Sequence, residues 1–265
     1  MIKVKDISKY YDTGGYAPRT ALEQVSLSFN SGQWCSLLGH NGSGKSTLLR
    51  IMSGELQPTS GSVLFDEVDV TRRNAAQRAR EVFFVEQDTR ANLVPSMTIE
   101  ENLLLAEGTS LFPGLGPARR TVRCHRVADA LARLNMGLEE RLNTQVRFLS
   151  GGERQSLVLA EAILSSAPTL LLDEFLAAMD PRTGPLLLST ARHIAREKAL
   201  TVVSVTHNIE HVMTESTPND RVIMLHEGRV VLDLQVAELP SKDWLVQQYQ
   251  RVSSFNSSEE HIKEK

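Results

Sequence analysis

The pattern of hydrophobic and polar positions divides the chain into three stretches, and the outer two alternate strands with helices. Apolar and polar residues alternate over 2–7 and 25–29, which is the period of a half-buried strand. In the last third, short and mostly apolar segments at 169–172 and 202–205 flank a predicted helix over roughly 184–197. Short apolar strands separated by helices indicate a parallel sheet that is buried on both faces.

The middle stretch, from about residue 89 to 165, has helical spacing instead. Thr98 followed by Glu101 has the form of a capped helix start. The segment 108–117 contains several glycines and prolines and is predicted to be a surface loop. A later helix is predicted to carry its apolar residues on one face, formed by Val127, Ala130, Leu131 and Leu134.

The composition of the 265-residue chain is that of a globular protein, with 41% hydrophobic residues and a net charge of −3. This charge provides no general attraction for nucleic acid, and we expect no nucleic-acid partner. No run approaches the roughly 18 apolar residues of a membrane-spanning helix, and the first residues lack the apolar core of a signal peptide. We therefore expect a cytoplasmic protein. Its cysteines, Cys35 and Cys124, are too few for a disulfide framework or a metal cluster.

A glycine-rich motif at 39–47 fits the pattern G-x-x-x-x-G-K-[ST] and lies between an apolar strand and a helix-compatible run. Backbone N–H groups at a helix N-terminus converge on an anion, and glycine lets the backbone approach that anion closely. Lys45 is predicted to lie along the β- and γ-phosphates of ATP, and the Ser46 hydroxyl is predicted to bind Mg²⁺. The predicted nucleotide-binding residues here are Gly39, His40, Asn41, Gly42, Ser43, Gly44, Lys45, Ser46 and Thr47.

Two carboxylates directly follow the apolar strand predicted at 169–172. Asp173 suits coordination of Mg²⁺, which prefers one or two carboxylates together with phosphate oxygens. Glu174 suits the orientation or deprotonation of an attacking water. Alone, the pair is equally typical of a solvated acidic turn, but an upstream phosphate loop favours the magnesium interpretation.

A third motif, Leu149-Ser150-Gly151-Gly152-Glu153-Arg154-Gln155, precedes this strand and has the form of a second anion-binding helix N-terminus. With the three motifs in this order, the sequence resembles the nucleotide-binding subunit of ATP-binding cassette (ABC) transporters. The resemblance implies a head-to-tail dimer in which this third motif, called the signature, covers the γ-phosphate held by the other copy. Its signature residues that would contact nucleotide are Ser150, Gly151, Gly152 and Glu153.

The resemblance also assigns roles to single residues. Gln87 corresponds to the glutamine that joins Mg²⁺ and the attacking water, and His207 to the switch histidine that contacts the γ-phosphate. Tyr11 corresponds to the aromatic residue that stacks on adenine, although Tyr10 competes for this role. Asp180 corresponds to the loop that joins the two active sites across the dimer. The implied catalytic residues are thus Glu174, His207 and Gln87, and the implied metal ligands are Ser46, Gln87 and Asp173.

The fold implied by the resemblance is α/β: a P-loop NTPase core with a small antiparallel β subdomain and an α-helical signature subdomain. The ATPase domain is expected over 1–240, with the helical subdomain inserted at about 89–165. Residues 241–265 are expected to form a C-terminal helix and tail with a disordered end. Two departures from the family pattern, Phe175 for proline and Ala177 for serine, replace no predicted phosphate or metal ligand, so hydrolysis is expected to survive.

The function implied by the resemblance is ATP hydrolysis that drives solute transport through a separate integral membrane permease, with ATP and Mg²⁺ as cofactors. Import is favoured, with a substrate-binding protein as an indirect partner and the subunit peripheral on the inner face of the cell membrane. Export or lipoprotein release is the second interpretation, and a non-transport ATPase, for example in iron–sulfur assembly, is the third. A cassette that binds nucleotide without turnover is disfavoured by the intact motifs.

Two segments have open interpretations. The basic cluster at 119–126 is typical of a solvated helix face, although its place in the helical subdomain also allows contact with a membrane subunit. The apolar residues of 92–97 suit a groove for the permease or the ordinary core of the subdomain. The transported substrate is not encoded in this chain, because the permease and the binding protein select it.

Overall fold

The computed structural model describes residues 1–12, 14, 18–106, 126–177, 179–213 and 216–263, with side chains up to Val252. These residues form two compact units, which are described separately below. Met1–Arg78 together with Ala199–Lys265 is named the loop unit, because it contains the glycine-rich motif. Ala79–Lys198 is named the signature unit, because it contains the motif at 149–155.

The elements of the first part of the loop unit are β1 (Ile2–Tyr11), β2 (Arg19–Phe29), β3 (Trp34–Leu38), α1 (Lys45–Ser53), β4 (Ser60–Phe65), β5 (Val68–Asp69) and α2 (Ala75–Arg78). The signature unit contains β6 (Val82–Val85), α3 (Ile99–Ala106), α4 (126–132), α5 (Gly151–Leu164), β7 (Thr169–Asp173) and α6 (Thr183–Glu197). The loop unit then resumes with β8 (Thr201–Val205), α7 (Ile209–Met213), β9 (Arg221–His226), β10 (Arg229–Gln235) and α8 (Lys242–Lys263).

The loop unit contains a small antiparallel sheet with the strand order β2-β1-β4-β5. Its central strand β1 buries Ile2, Val4 and Ile7, which confirms the alternation seen in the sequence. This is the antiparallel β subdomain that the resemblance implies.

The second group of strands in the loop unit is mainly parallel. β3 lies between β8 and β9 and runs parallel to both, and β10 pairs antiparallel with β9. All residues of β3 and β8 are buried, so the mostly apolar sequences of these strands reflect burial on both faces. The predicted buried parallel sheet is confirmed here.

The helix α1 is held at its C-terminal end by a fully buried arginine. The Arg78 guanidinium donates to the carbonyls of Ile51 and Met52 at 2.7 and 2.9 Å, and to those of Val70 and Thr71 at 2.6 and 2.9 Å. A positive charge is favourable at the C-terminus of a helix, where the last carbonyls have no partner within the helix. Arg78 therefore anchors the helix that follows the glycine-rich loop.

In the signature unit, β6 and β7 pair in parallel, and two of the predicted features can be checked. The capped start of α3 is confirmed: Glu101 N donates to Thr98 Oγ1 at 3.2 Å, and Thr98 N to Glu101 Oε2 at 2.8 Å. The predicted apolar face is buried, but Leu134 lies in a turn just after α4 rather than on the helix. The predicted loop at 108–117 lies outside the described residues, as does most of the basic cluster.

The C-terminal helix α8 packs on an apolar cluster of the loop unit. Leu245 is fully buried there together with Leu38, Val212 and Met224. The backbone of α8 is helical as far as Lys263, and the predicted disorder of its end stays a prediction. Among the described residues, no helix has the length and hydropathy to cross a membrane.

Candidate nucleotide site

The glycine-rich loop has a backbone course that only glycine permits at two positions. Gly44 has φ +103°, and a Cβ placed there would lie 2.4 Å from the Ala21 carbonyl oxygen. Gly39 has φ +150°, and its Cβ would lie 2.5 Å from both the Leu225 carbonyl oxygen and Ser43 Oγ. The loop is thus wedged against β2 and β9, which fixes its backbone N–H groups before any ligand binds.

The lysine of the motif is buried under this loop. Lys45 is 5% exposed, and its Nζ donates to the carbonyl oxygens of Gly39 at 2.8 Å and His40 at 2.9 Å. Ser43 Oγ is also buried and has no hydrogen-bond partner among the described residues. A buried cation and an unsatisfied hydroxyl beside a glycine cradle suit an incoming phosphate group.

The predicted switch histidine lies at the same edge of the loop unit's parallel strands as the glycine-rich loop. Leu37 in β3 pairs with Val205 in β8, and Thr206 N donates to the Leu37 carbonyl at 3.2 Å. Gly39 and the exposed His207 therefore both follow carboxyl ends of adjacent parallel strands. This is the edge where ligands bind in open α/β sheets.

The two candidate aromatic residues differ in what they face. Tyr10 and Tyr11 are similarly exposed, at 41% and 40%. Tyr11 pairs with Arg19 across β1 and β2, and paired residues of an antiparallel ladder point to one face of the sheet. The Arg19 guanidinium in turn lies 3.6 Å from the position of a Cβ on Gly42, so Tyr11 shares its face with a side chain that reaches the loop.

The signature unit brings two predicted catalytic residues into contact. Gln87 follows β6 and Glu174 follows β7, and the parallel pairing of Val85 with Leu172 places both at one edge. Gln87 Nε2 donates to Glu174 Oε2 at 3.3 Å. Glu174 has φ +46°, an uncommon backbone conformation for a residue with a side chain and one that clusters at active sites.

The signature motif forms a capped helix start. Ser150 Oγ accepts from Glu153 N at 3.2 Å, and Glu153 Oε2 accepts from Ser150 N at 2.7 Å. Arg141 also donates to the Glu153 carboxylate. Burial raises the pKa of Glu153, but these hydrogen bonds outweigh it and lower the pKa below its ordinary value. A carboxylate thus occupies the positive end of α5, as expected for an anion-binding N-terminus.

The loop containing Asp180 contacts the signature glycines within the same unit. A Cβ on Gly152 would lie 3.0 Å from Met179 Sδ. The Asp180 carboxylate accepts from the backbone N–H groups of Thr183 at 3.0 Å and Arg182 at 2.9 Å. A hydrogen bond from the Thr183 side chain, together with these backbone bonds, lowers the pKa of Asp180. Asp180 therefore caps the start of α6. Ala178, two residues earlier, lies outside the described residues.

Comparison with known proteins places these motifs in a family. The profile of the family described as ABC transporter matches residues 22–177. The chain belongs to the ABC transporter family. It is 37% identical to the tyrosine transport ATP-binding protein of Clostridioides difficile (strain R20291), over 90% of this chain and 93% of that protein. It is 33% identical to the methionine import ATP-binding protein MetN of Mannheimia succiniciproducens, over 99% of this chain and 74% of that protein.

The solved structures agree with this assignment. A dimeric post-hydrolysis state of the ATP-binding cassette MJ0796 bound to ADP and Pi matches with a TM-score of 0.77 and 29% identity, over 89% of this chain and 99% of that chain. The predicted ABC ATPase fold is confirmed. As a member of the ABC transporter family, the chain is an ATP-binding transport subunit that hydrolyses ATP.

The signature unit of this ABC protein also contains a cleft that the sequence analysis did not identify. The cleft has a volume of about 290 Å³ and joins the residues after β6 to the start of α5; its lining is Gln87, Asp88, Thr89, Arg90, Gly151, Arg154 and Gln155. Hydrogen bonds from Arg90 lower the pKa of Asp88 to about 2, so this wall carries both charges. Of the 92–97 segment, Leu93 is buried in the core, whereas Val94 is exposed.

Arg19 is a further residue near the loop that the sequence analysis did not single out. It belongs to no motif and follows Pro18 at the start of β2, so only the strand register brings it near Gly42. Arg90 was likewise missed, and Arg154 was recognised only as a member of the third motif, with no role of its own. For Arg90 and Arg154, the signal in the sequence is their spacing of three positions from Gln87 and Gly151, whereas Arg19 has no such signal.

Proposed function

We propose that the chain is the Mg·ATP-hydrolysing subunit of an importer and that it works as a head-to-tail pair on a membrane permease. The observation that carries this proposal is the buried Lys45, held on the carbonyls of its own glycine loop in the arrangement described above. When a triphosphate binds, the Lys45 ammonium would exchange these carbonyl oxygens for phosphate oxygens. The names of the relatives, tyrosine transport and methionine import, favour import of a small solute such as an amino acid.

The loop unit would hold the nucleotide. The glycine-loop residues from Gly39 to Thr47 would surround the phosphates, with Lys45 along the β- and γ-phosphates. Tyr11 is proposed to stack on adenine in preference to Tyr10, because it shares a face with Arg19, whose guanidinium reaches the loop. Arg19 would add a positive charge near the phosphates.

The signature unit would supply the groups that act on water. Glu174 would polarise the attacking water, and Gln87, which donates to its carboxylate, would fix the orientation of that carboxylate. His207 of the loop unit would contact the γ-phosphate. Mg²⁺, held by Ser46, Gln87 and Asp173, would neutralise phosphate charge during transfer.

A second copy of the chain would complete each site. Ser150, Gly151, Gly152 and Glu153 would cover the γ-phosphate bound by the other copy, and Asp180 would join the two sites. The carboxylate of Glu153 at the start of α5 supports this role, because the positive end of a helix favours a negative charge. The interface would depend on bound ATP, so the pair would be weak without it.

The permease would dock on the signature unit, and the subunit would lie peripherally on the inner face of the cell membrane. The cleft between Gln87 and Arg154 supports this, because it has charged walls and adjoins the proposed water-orienting glutamine. A substrate-binding protein would deliver solute to the permease from the other side.

The first test uses Glu174→Gln, with the mass of the protein measured by light scattering in Mg·ATP. We expect a stable dimer that wild type forms only transiently, since the variant would bind ATP without consuming it. Lys45→Ala is the matched control and should stay monomeric with weakened ATP binding. A Glu174→Gln protein that remains monomeric at saturating Mg·ATP would contradict the proposed dimer.

The second test is purification of the subunit from native membranes, followed by ATPase assays of whatever copurifies. We expect an integral permease whose presence alters turnover. A soluble partner, with turnover unaffected by membranes, would favour a non-transport ATPase instead.

A further inference from the structure

The second residue of the glycine loop contacts the C-terminal helix. The rings of His40 and Tyr249 have centroids 4.7 Å apart and planes inclined by 34°. This separation lies within the range in which aromatic rings attract each other beyond simple burial of area. Tyr249 lies in the middle of α8, far from the loop in sequence, so the contact is purely tertiary.

The helix that carries Tyr249 is firmly anchored next to the loop. Leu245, one turn earlier, is fully buried in the apolar cluster with Leu38 and Met224. Leu38 is the residue immediately before Gly39, so α8 packs on the strand end from which the loop emerges. Tyr249 is therefore held by a rigid element rather than by a mobile tail.

The same helix also contacts the segment that follows His207. The Lys242 ammonium at the start of α8 pairs with the Glu210 carboxylate in α7, and the two helices pack on each other. Asn208, which directly follows His207, caps α7 by accepting from Glu210 N at 2.9 Å. Helix α8 thus contacts the elements that carry both the glycine loop and the predicted switch histidine.

His40 is well placed to transmit the position of α8 to the loop. Its carbonyl oxygen accepts from Lys45 Nζ at 2.9 Å and from Ser43 N at 3.1 Å. A contact that fixes the His40 ring also limits the rotation of this carbonyl. We propose that Tyr249 is a positioning residue for the phosphate loop, whose ring holds His40 and preorganises the loop for Mg·ATP. This inference rests on the proposed nucleotide site and extends it to the C-terminal helix.

The test compares substitutions of Tyr249 by the affinity for Mg·ATP and by the split of ATPase activity into KM and kcat. Tyr249→Ala should weaken affinity and raise KM by about two- to tenfold, the equivalent of one aromatic contact. The value of kcat at saturating ATP should change little, because Tyr249 touches no reacting atom. Tyr249→Phe should retain wild-type affinity, and Gln247→Ala, exposed on the same helix, is the matched control.

Further variants separate ring contact from simple packing. Tyr249→Leu keeps apolar volume on α8 and should weaken binding as alanine does; wild-type affinity in this variant would overturn the inference. In a double-mutant cycle, His40→Ala should remove most of the effect of Tyr249→Ala, whereas additive effects would contradict the proposed path. Thermal unfolding identifies any variant that fails to fold, and His40→Ala then tests the contact from the loop side.

The two proposals fail in different ways. If wild type does not bind Mg·ATP, the proposed nucleotide site is wrong and the inference falls with it. If wild type binds Mg·ATP and Tyr249→Ala binds it equally well, the inference alone is wrong.

Discussion

The loop unit and the signature unit both place candidate residues at the carboxyl ends of parallel strands, but they build them differently. In the loop unit, the backbone forms the binding surface, and Gly39 and Gly44 leave no space for a Cβ. In the signature unit, side chains form the surface, with Gln87 hydrogen-bonded to Glu174. Phosphate binding needs many donors around one anion, whereas water activation needs one carboxylate in one orientation.

This difference predicts different sensitivities to substitution. A backbone-built surface is most sensitive to an added methyl group, because the methyl group displaces the main chain. A side-chain-built surface tolerates an isosteric substitution structurally while losing its chemistry. The following predictions test this comparison, from the largest expected effect to the smallest.

Gly44→Ala should disrupt the loop unit. The new Cβ would lie 2.4 Å from the Ala21 carbonyl oxygen at φ +103°, and we expect the free energy of unfolding to fall by about 4 kcal/mol. Denaturant titration measures this. Gly137→Ala in the signature unit is the control, because it also has positive φ but meets nothing within 4 Å, and it should cost about 1 kcal/mol. Equal losses would mean that the close approach does not matter.

Glu174→Gln should leave the signature unit folded and lower the ATP turnover rate at least about a hundredfold, since a neutral amide is a poor base for the attacking water. Steady-state phosphate release measures turnover, and nucleotide titration should give affinity close to wild type. Lys45→Ala is the opposite case and should lose affinity first. If Glu174→Gln weakened binding as much as Lys45→Ala does, the proposed division of labour would be wrong.

Glu161→Gln tests the buried acid of the signature unit, which contrasts with the buried lysine of the loop unit. The buried Lys45 ammonium donates hydrogen bonds to carbonyl oxygens. In contrast, burial raises the pKa of Glu161 in α5 from 4.5 to about 8. The folded state therefore favours the protonated acid. The contribution of Glu161 to the free energy of unfolding is fully present below pH 4.5 and is lost as the pH rises towards 8. Glutamine stays neutral, and we expect Glu161→Gln to raise the free energy of unfolding at pH 9 by a few kcal/mol.

Denaturant titrations of Glu161→Gln at pH 4 and pH 9 check this, with little gain expected at pH 4. The exposed Glu140→Gln is the matched control and should show no such difference. A gain for Glu161→Gln that is equal at both pH values would point to packing rather than to charge.

Ser150→Ala should have the smallest effect on stability. It removes the hydroxyl that accepts from Glu153 N, and loss of such an N-cap costs about 1 kcal/mol in the free energy of unfolding. Ser150→Asn keeps a capping acceptor and should stay near wild type. If both variants unfold like wild type, the cap is not stabilising, and the serine serves nucleotide binding alone.

Much of this architecture was predictable from the sequence because it depends on local spacing. The glycine loop, the capped starts of α3 and α5 and the apolar strands β7 and β8 each follow from residues within about one helical turn or one strand. The family resemblance follows from the order of three such motifs. The boundaries of the helical subdomain and the individual site roles stay predictions.

Other features depend on residues that are distant in the chain, and only the tertiary structure decided them. The register of β1 and β2 sets Tyr11 with Arg19 on one face, and Arg78 reaches back to the carbonyls of Ile51 and Met52. The contact of Tyr249 with His40 is of the same kind. The physical reason is that hydrophobic spacing and turn chemistry act over a few residues, whereas packing selects which distant side chains meet.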